Sequence, residues 1–193
     1  AKPFGHGNAA QANVRRTLRA EDYMNNAHIS IDTFDQHKHS VNEITELLHD
    51  SYSIHLQNNL HFWATTQTNE TTYKRLTSGI SYVAILNNKI IGTITYYSNC
   101  PSNNCDYYQQ KSVGRFGQFA VDRSYQKKGI GDLLIKKVIE IAKTERKCIL
   151  ALDTSELALE LIKYYERKGF NKVGKMQWND VNYKSIILSK NIE

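Results

Sequence analysis

The sequence predicts a single α/β domain in which a mixed β-sheet is flanked by helices. Strand-like segments rich in β-branched and aromatic residues alternate along the 193-residue chain with segments of helical apolar periodicity. Two prolines and no internal repeats argue against long linkers. The predicted order is β-α-α-β-β-β-α-β-α-β-β, which gives about six to seven strands and about four helices.

The N-terminal half of this order begins with a strand and two helices. Residues His28–Phe34 alternate apolar and polar side chains, as a half-buried strand does. Residues 40–55 show helical apolar spacing, and Ser40 followed three positions later by Glu43 is typical of a helix N-terminus. A second, shorter helix is predicted over Glu70–Ser78.

A β-hairpin comes next. The β-rich segments Ser81–Leu86 and Lys89–Tyr97 are separated only by Asn87-Asn88, and asparagine tolerates the positive φ angles of a two-residue hairpin turn. A polar loop, Ser98–Gly114, leads to a further strand, Arg115–Val121.

The C-terminal half contains two helices and three strands. After a glycine-containing turn, apolar residues from Ile130 to Ala142 fall on one face of a helix. Cys148–Asp153 is typical of a buried strand, and Ser155–Phe170 of a helix that Gly169 ends. Two strands, Lys172–Trp178 and Asn182–Lys190, close the chain.

Composition limits the class of protein. No apolar run approaches the ~18 residues that span a bilayer, and no signal-peptide pattern is visible, so we expect a cytoplasmic protein without membrane contact. Three cysteines are too few for a disulfide scaffold, and Cys100 and Cys105 are expected to be thiols. A net charge of +6 suits a polyanionic small molecule or weak nucleic-acid contact.

All seven histidines lie in the first 61 residues. His37-x-His39 has the residue type that binds metals, but a solvated loop or the start of a helix is the favoured interpretation, and we expect no metal. His55 and His61 are better placed for function, near a predicted substrate-side helix.

The turn Gln126–Gly131, QKKGIG, joins a strand to a helix. A helix N-terminus presents unpaired backbone N–H groups and a partial positive charge, and glycine lets an anion approach the backbone. The Walker pattern is absent, and Leu134 occupies the third glycine position of the dinucleotide pattern. The residues alone allow two interpretations of this segment: a phosphate-binding site, or a turn that binds no ligand.

These residues also resemble a known family. Gln126–Gly131 matches the [R/Q]-x-x-G-x-[G/A] pattern of the GNAT superfamily of acyl-CoA N-acyltransferases, and Tyr164–Gly174 resembles its Y-E-x-x-G-F segment. The resemblance covers roughly residues 28–190. It implies a GNAT-like fold, with residues 26–193 as one acyl-CoA N-acyltransferase domain. The small and polar residues 1–25 are predicted to be an N-terminal extension that is either flexible or partly helical.

The resemblance implies acetyl-CoA as cosubstrate. Its pyrophosphate would lie on backbone N–H groups of the turn, and its pantetheine arm beside the preceding strand, where Arg115–Val121 and Cys148–Asp153 splay apart. The implied cofactor-binding residues are Phe119, Ala120, Val121, Gln126, Lys127, Lys128, Gly129, Ile130, Gly131 and Asp132.

The resemblance also assigns catalytic roles. Tyr165 matches the general acid that assists the departing thiolate, while Tyr164 is assigned to packing. Many members have an asparagine seven residues before the tyrosine; here that position is Ala158, and Thr154 or Ser155 would have to supply a hydroxyl.

No general base stands out in the sequence. Gln118 on the central strand cannot titrate, and Asp153 and Glu70 are weak candidates.

The acceptor is predicted to be a primary amine of a small molecule or peptide. The resemblance implies that it binds among Tyr52–Trp63, Tyr96–Tyr108 and Trp178–Tyr183, which are rich in Tyr, Trp, Asn and His. The same segments are compatible with homodimer contacts. The leading function is therefore an N-acetyltransferase; a CoA-binding sensor without turnover is the alternative, and no nucleic-acid-binding motif supports a third class.

Overall fold

The computed structural model describes residues 29–56, 60–98, 105–179 and 181–193. The expected N-terminal extension and Cys100 lie outside these residues. The strands are β1 (Ile29–Thr33), β2 (Ile80–Leu86), β3 (Lys89–Tyr97), β4 (Val113–Val121), β5 (Ile149–Ser155), β6 (Asn171–Gln177) and β7 (Lys184–Asn191). The helices are α1 (Val41–Leu56), α2 (Asn69–Thr77), α3 (Asp106–Gln109), α4 (Ile130–Thr144) and α5 (Leu159–Arg167).

The strands form one seven-stranded sheet in the order β1-β2-β3-β4-β5-β7-β6. Neighbouring strands are antiparallel except for β4 and β5, which are parallel. This confirms the predicted mixed α/β architecture. The one-turn helix α3, inside the predicted polar loop, was not predicted.

Helices cover both faces of the sheet. On one face α4 and α5 pack on a core that includes Ile91, Leu134 and Phe170. On the other face α1 and α2 contribute a second cluster, with Leu48 and Leu76 fully buried. In the described part of the chain, no helix combines the length and hydropathy that crossing a bilayer requires.

Local signals in the sequence account for several element boundaries. The Ser40 hydroxyl accepts a hydrogen bond from the Glu43 N–H at 3.2 Å, as an N-cap does. Asn87 and Asn88 have φ angles of 49° and 65°, the values of the predicted hairpin turn. The Glu43 carboxylate accepts from the Ile90 N–H at 2.7 Å, so it ties α1 to the start of β3.

The predicted helix Ser155–Phe170 is too long at both ends. Ser155 belongs to β5, because the ladder with β7 continues as far as the pair Ser155 and Ser185. A turn follows, in which the Ala158 N–H donates to the Ser155 carbonyl, and α5 begins at Leu159. At the other end the Phe170 N–H donates to the Tyr165 carbonyl, which closes the helix around Gly169.

The parallel pair β4 and β5 stays together for only three residues of each strand. Val113, Gly114 and Arg115 pair with Ile149–Ala151, and no pairing continues beyond them. From Phe116 onward β4 remains bonded to β3, and from Leu152 onward β5 remains bonded to β7. The sheet therefore opens between its two central strands.

Substitution of Gly79 tests how closely the connection between α2 and β2 packs against β3. A Cβ at this position would lie 2.1 Å from the Tyr96 carbonyl oxygen, a backbone atom that cannot move without disturbing β3. We expect Gly79→Ala to lower the free energy of unfolding by about 1–3 kcal/mol, measured by urea denaturation. Gly174→Ala is the control, because its Cβ would meet the Ile187 side chain at an ordinary 3.6 Å. Equal stability of the two variants would contradict this packing.

Candidate active site

A cavity of about 580 Å³ occupies the opening between β4 and β5, a size usual for a small-molecule site. The diverging halves of both strands form its floor, and aromatic residues from three other segments form its walls. Those wall residues include Tyr52, Phe62, Trp63, Tyr97, Trp178 and Tyr183. The structure thus brings together described residues from all three segments that the sequence suggested for the acceptor.

A β-bulge in β4 shapes the floor of the cavity. The register with β3 shifts by one residue between the pairs Thr93–Ala120 and Thr95–Gly117. Gln118 lies in this bulge with a φ of 48°, in the left-handed region that non-glycine residues rarely adopt. The bulge explains why a polar side chain in the middle of the strand lines the cavity.

The Gln118 side chain is only 5% exposed. Neither its amide oxygen nor its amide nitrogen finds a hydrogen-bond partner among the described residues. Leaving such a group unpaired costs about 1–3 kcal/mol, so its retention points to a role at the site. Thr154 also lines the cavity, and its buried hydroxyl likewise finds no hydrogen-bond partner among the described residues.

Arg115 and Asp153 form a charged pair across the start of the opening. The guanidinium lies 4.0 Å from the carboxylate and packs between the rings of Tyr97 and Tyr108. The two Asp153 oxygens accept hydrogen bonds from the Tyr108 hydroxyl at 3.1 Å and the Trp178 indole N–H at 2.9 Å. Because these donors occupy Asp153, it is a poor candidate for the general base.

Arg75 brings a second guanidinium to the cavity from the end of α2. One of its N–H groups donates to the Gln67 amide oxygen at 3.0 Å, and its guanidinium carbon lies 5.7 Å from the centre of the Trp63 ring. Sequence reasoning did not single out this residue.

Tyr165, the predicted general acid, lines the cavity from α5 and is 5% exposed. Its ring makes edge contacts with Phe116 and Phe170. Burial raises the pKa of Tyr165 well above its usual value, with Tyr52 and Tyr164 acting in the same direction. The phenol therefore stays protonated and available as a hydrogen-bond donor across the physiological pH range.

Tyr52 connects α1 to the floor of the cavity. Its hydroxyl donates to the Phe119 carbonyl at 2.9 Å, and burial raises its pKa to about 12. Its ring lies 5.2 Å from that of Phe62, and the His55 ring packs against both. His55 thus supports the aromatic wall. Burial and the nearby Arg123 lower the pKa of His55.

The turn before α4 has the geometry of an anion site. Gly129 has a φ of 92°, which glycine adopts without steric cost, and it forms the N-cap of α4. In the described structure, the N–H groups of Gly129, Ile130 and Gly131 have no hydrogen-bond acceptor. Lys127 and Lys128 are exposed beside them. These features fit a pyrophosphate.

Other predicted residues of the turn have additional contacts. The Asp132 N–H already donates to the Gly129 carbonyl at 3.0 Å, and its carboxylate forms an ion pair with Lys168. Packing also favours glycine at position 131, in addition to the predicted approach of an anion. A Cβ there would lie 3.0 Å from the Tyr164 hydroxyl oxygen and 3.1 Å from the Phe119 ring.

Phe119 links the turn to the cavity. Its ring stacks on Tyr164, which lies over Gly131, and the same residue lines the cavity. Farther along β4 the Asp122 N–H donates to the Ile91 carbonyl, so Val121, one position earlier, turns its main-chain groups away from β3. The Val121 carbonyl accepts from the Gln126 amide at 3.1 Å, which ties the turn to the strand. Ala120 packs into the core beneath α1.

The remaining sequence candidates lie elsewhere or are occupied. Glu70 is exposed and paired with Lys74 at 2.7 Å, outside the cavity lining. Ala158 is buried at the start of α5, and the Ser155 hydroxyl accepts from the Leu157 N–H. Thr154 is thus the better placed of the two hydroxyls. Across the described ranges, no group of three His, Cys, Asp or Glu residues could hold a metal ion.

Comparison with known proteins agrees with this architecture. Residues 41–170, more than half of the chain, match the family model described as the acetyltransferase (GNAT) family. N-acetylaspartate synthetase from Xenopus tropicalis is 28% identical over 105 residues, which cover 54% of this chain and 35% of that protein. The matched part therefore spans about a third of the length of this curated relative.

Solved structures share the fold. PH1933 from Pyrococcus horikoshii OT3 superposes with a TM-score of 0.66 at 22% identity and covers 84% of this chain and 98% of its own. A GNAT family acetyltransferase from Elizabethkingia anophelis with acetyl-CoA bound has a TM-score of 0.57 at 22% identity, over 84% and 97% of the two chains. The predicted GNAT-like fold is confirmed.

The buried, unpaired amide of Gln118 predicts an unusual effect on stability. We expect Gln118→Met to raise the free energy of unfolding by about 1 kcal/mol, because methionine fills a similar volume without an unsatisfied polar group. Gln67→Met is the matched contrast, since that buried amide donates to Thr72 at 2.7 Å and accepts from Arg75. It should lower stability by about 1–3 kcal/mol in the same urea titration. A comparable loss in both variants would show that Gln118 is satisfied.

Proposed function

Because the chain belongs to the GNAT family of acetyltransferases, we propose that it transfers an acetyl group from acetyl-CoA to a primary amine held between β4 and β5. One observation carries the proposal: the cavity in the open sheet connects through Phe119 to a turn whose backbone geometry suits an anion. This arrangement suits a substrate with a polyanionic head and a reactive end some distance away.

The phosphate-binding role falls to the turn before α4. The N–H groups of Gly129, Ile130 and Gly131 would donate to the pyrophosphate, and Lys127 and Lys128 add positive charge at its edge. Gln126 holds the turn against β4 through its bond to the Val121 carbonyl. The bound acetyl-CoA of the Elizabethkingia structure supports this ligand for the fold.

The arm of the cosubstrate would lie in the opening, beside Phe119, Ala120 and Val121. The main chain of Val121 faces the open side, where a missing strand neighbour leaves room for an extended ligand. When bound, acetyl-CoA supplies the thioester from which the acetyl group is taken. The buried Thr154 hydroxyl is the group of β5 best placed to donate to this arm.

The acceptor amine must lose a proton before it can attack. An amine with a pKa near 10.4 is neutral in only about one molecule in ~10³ at pH 7, so the largely aromatic walls assist by disfavouring the charged form. The Gln118 amide oxygen would accept a hydrogen bond from the amine N–H and orient its lone pair. A C–N bond then forms as the C–S bond breaks and CoA leaves as a thiolate, and the proton that the nitrogen loses passes through solvent to that sulfur.

Tyr165 would interact with the thiolate that leaves when the C–S bond breaks. Its raised pKa makes full proton transfer to sulfur less favourable, while the phenol remains a hydrogen-bond donor. We therefore propose that Tyr165 stabilises the charge that develops on sulfur by hydrogen bonding.

Release of free thiol from acetyl-CoA tests the proposed activity. The assay compares a panel of primary amines with a reaction that lacks amine, and L-aspartate heads the panel because a relative is named for N-acetylaspartate. We expect amine-dependent thiol release and an acetylated amine of matching yield by mass spectrometry. Tight CoA binding with no release across the panel would favour a sensor instead.

Substitution of Tyr165 separates its chemical role from packing. We expect Tyr165→Phe to lower kcat by ~10²-fold, near the low end for general acid–base catalysis, with acetyl-CoA affinity by calorimetry unchanged. Tyr107→Phe is the control, because that hydroxyl bonds Ser189 at 2.8 Å and lies outside the cavity lining. Full turnover in Tyr165→Phe would remove this residue from the mechanism.

A further inference from the structure

The charged groups in the cavity indicate what kind of amine it accepts. Building on the proposed acetyltransferase function, we propose that the acceptor carries a carboxylate and that Arg75 binds this carboxylate. Three features of the cavity support this assignment: its balance of charge, the way Arg75 is held, and the separation of Arg75 from the phosphate site.

Among the described residues that line the cavity, three carry a formal charge: Arg75, Arg115 and Asp153. Arg115 and Asp153 neutralise each other, and the carboxylate is also satisfied by Tyr108 and Trp178. Arg75 is different, since no carboxylate of the described residues lies within ion-pair distance of it. The described part of the cavity lining therefore has one net positive charge, and a ligand with a negative group would balance it.

Arg75 is held in one orientation by neutral partners. The Gln67 amide that accepts from Arg75 also donates to the Thr72 hydroxyl at 2.7 Å, and that hydroxyl is hydrogen-bonded to the Thr45 hydroxyl at 2.8 Å. The Trp63 ring packs on the guanidinium. Arginine has five N–H donors, and this arrangement hydrogen-bonds one of them to a protein acceptor in the described structure.

The unengaged end of the guanidinium faces the floor of the cavity. Its Nη2 atom lies 3.9 Å from the position that a Cβ on Gly117 would occupy, next to the bulged Gln118. The absence of a side chain on Gly117 leaves this end accessible. A planar guanidinium with two adjacent donors is suited to a carboxylate, which it can bind with two parallel hydrogen bonds.

The positive charge of Arg75 also affects the pKa values of two tyrosines in the aromatic wall. Burial raises the pKa of Tyr52 to about 12, and Arg75 acts in the opposite direction on both Tyr52 and Tyr183. All three side chains line the cavity. The acceptor would lie there, between the guanidinium and the aromatic rings.

Arg75 is separate from the groups assigned to the pyrophosphate. Residues 126–132 do not line the cavity, and the anion site that they form has its own lysines and N–H groups. A negative group at Arg75 would therefore belong to the acceptor. An acidic or neutral amino acid matches this chemistry, whereas a polyamine does not.

Pairs of amines that differ in their carboxylates test the inference in the wild-type protein. The probes are L-aspartate with its dimethyl ester, and L-phenylalanine with phenethylamine. We expect kcat/KM to favour the carboxylate-bearing member of an accepted pair by about 10- to 100-fold, the range for a charge-assisted hydrogen bond. Equal or reversed preference would overturn the inference and leave the proposed function standing. Absence of thiol release with every amine would defeat the proposed function itself.

Substitution of Arg75 then tests whether this residue binds the carboxylate of the acceptor. Arg75→Met should lower kcat/KM for the carboxylate-bearing amine by about 10- to 100-fold, mainly through KM, and change its counterpart by less than about 3-fold. Arg75→Lys, which keeps the charge, should restore part of the preference. Arg167→Met is the matched control, because Arg167 is exposed at the end of α5 and should leave both amines unchanged. An equal loss for both members of a pair in Arg75→Met and Arg75→Lys would show that Arg75 has only a structural role.

Discussion

The site depends on one interruption of backbone pairing, the point at which the parallel strands β4 and β5 separate after Arg115 and Ala151. Each strand keeps a full ladder on its other side, β4 with β3 and β5 with β7, so the sheet remains intact around the gap. The gap exposes main-chain groups of β4 and creates the cavity. The bulge at Gln118 then turns a side chain of the central strand into it.

The polar groups around the gap contrast with one buried polar cluster near α1 and α2. Thr45, Thr72 and Gln67 form a buried chain in which each side chain has a partner. Gln118 and Thr154, at the gap, are equally buried and have no partner among the described residues. Unpaired buried groups lower stability, and the proposed acetyl-CoA and amine would supply hydrogen-bond partners for these two.

The sequence predicted what depends on local structure. The helix start at Ser40, the hairpin at Asn87-Asn88 and the turn at Gly129 follow from the conformations of a few neighbouring residues. The end of β5 was mispredicted, because its last residues are held as strand by β7, thirty positions later in the chain. No local feature of the sequence pointed to Gln118 or Arg75. Pairing with β3 creates the bulge at Gln118, and tertiary packing directs the Arg75 guanidinium into the cavity.

A crystal structure of the protein with CoA tests the central claim most directly. The account predicts that the pyrophosphate lies on the N–H groups of Gly129, Ile130 and Gly131, and that the arm enters the gap beside β4 with its thiol at the Tyr165 hydroxyl. Pyrophosphate bound at the turn with the arm outside the gap would contradict the assignment of the cavity. Binding at any other place would contradict the whole account of the site.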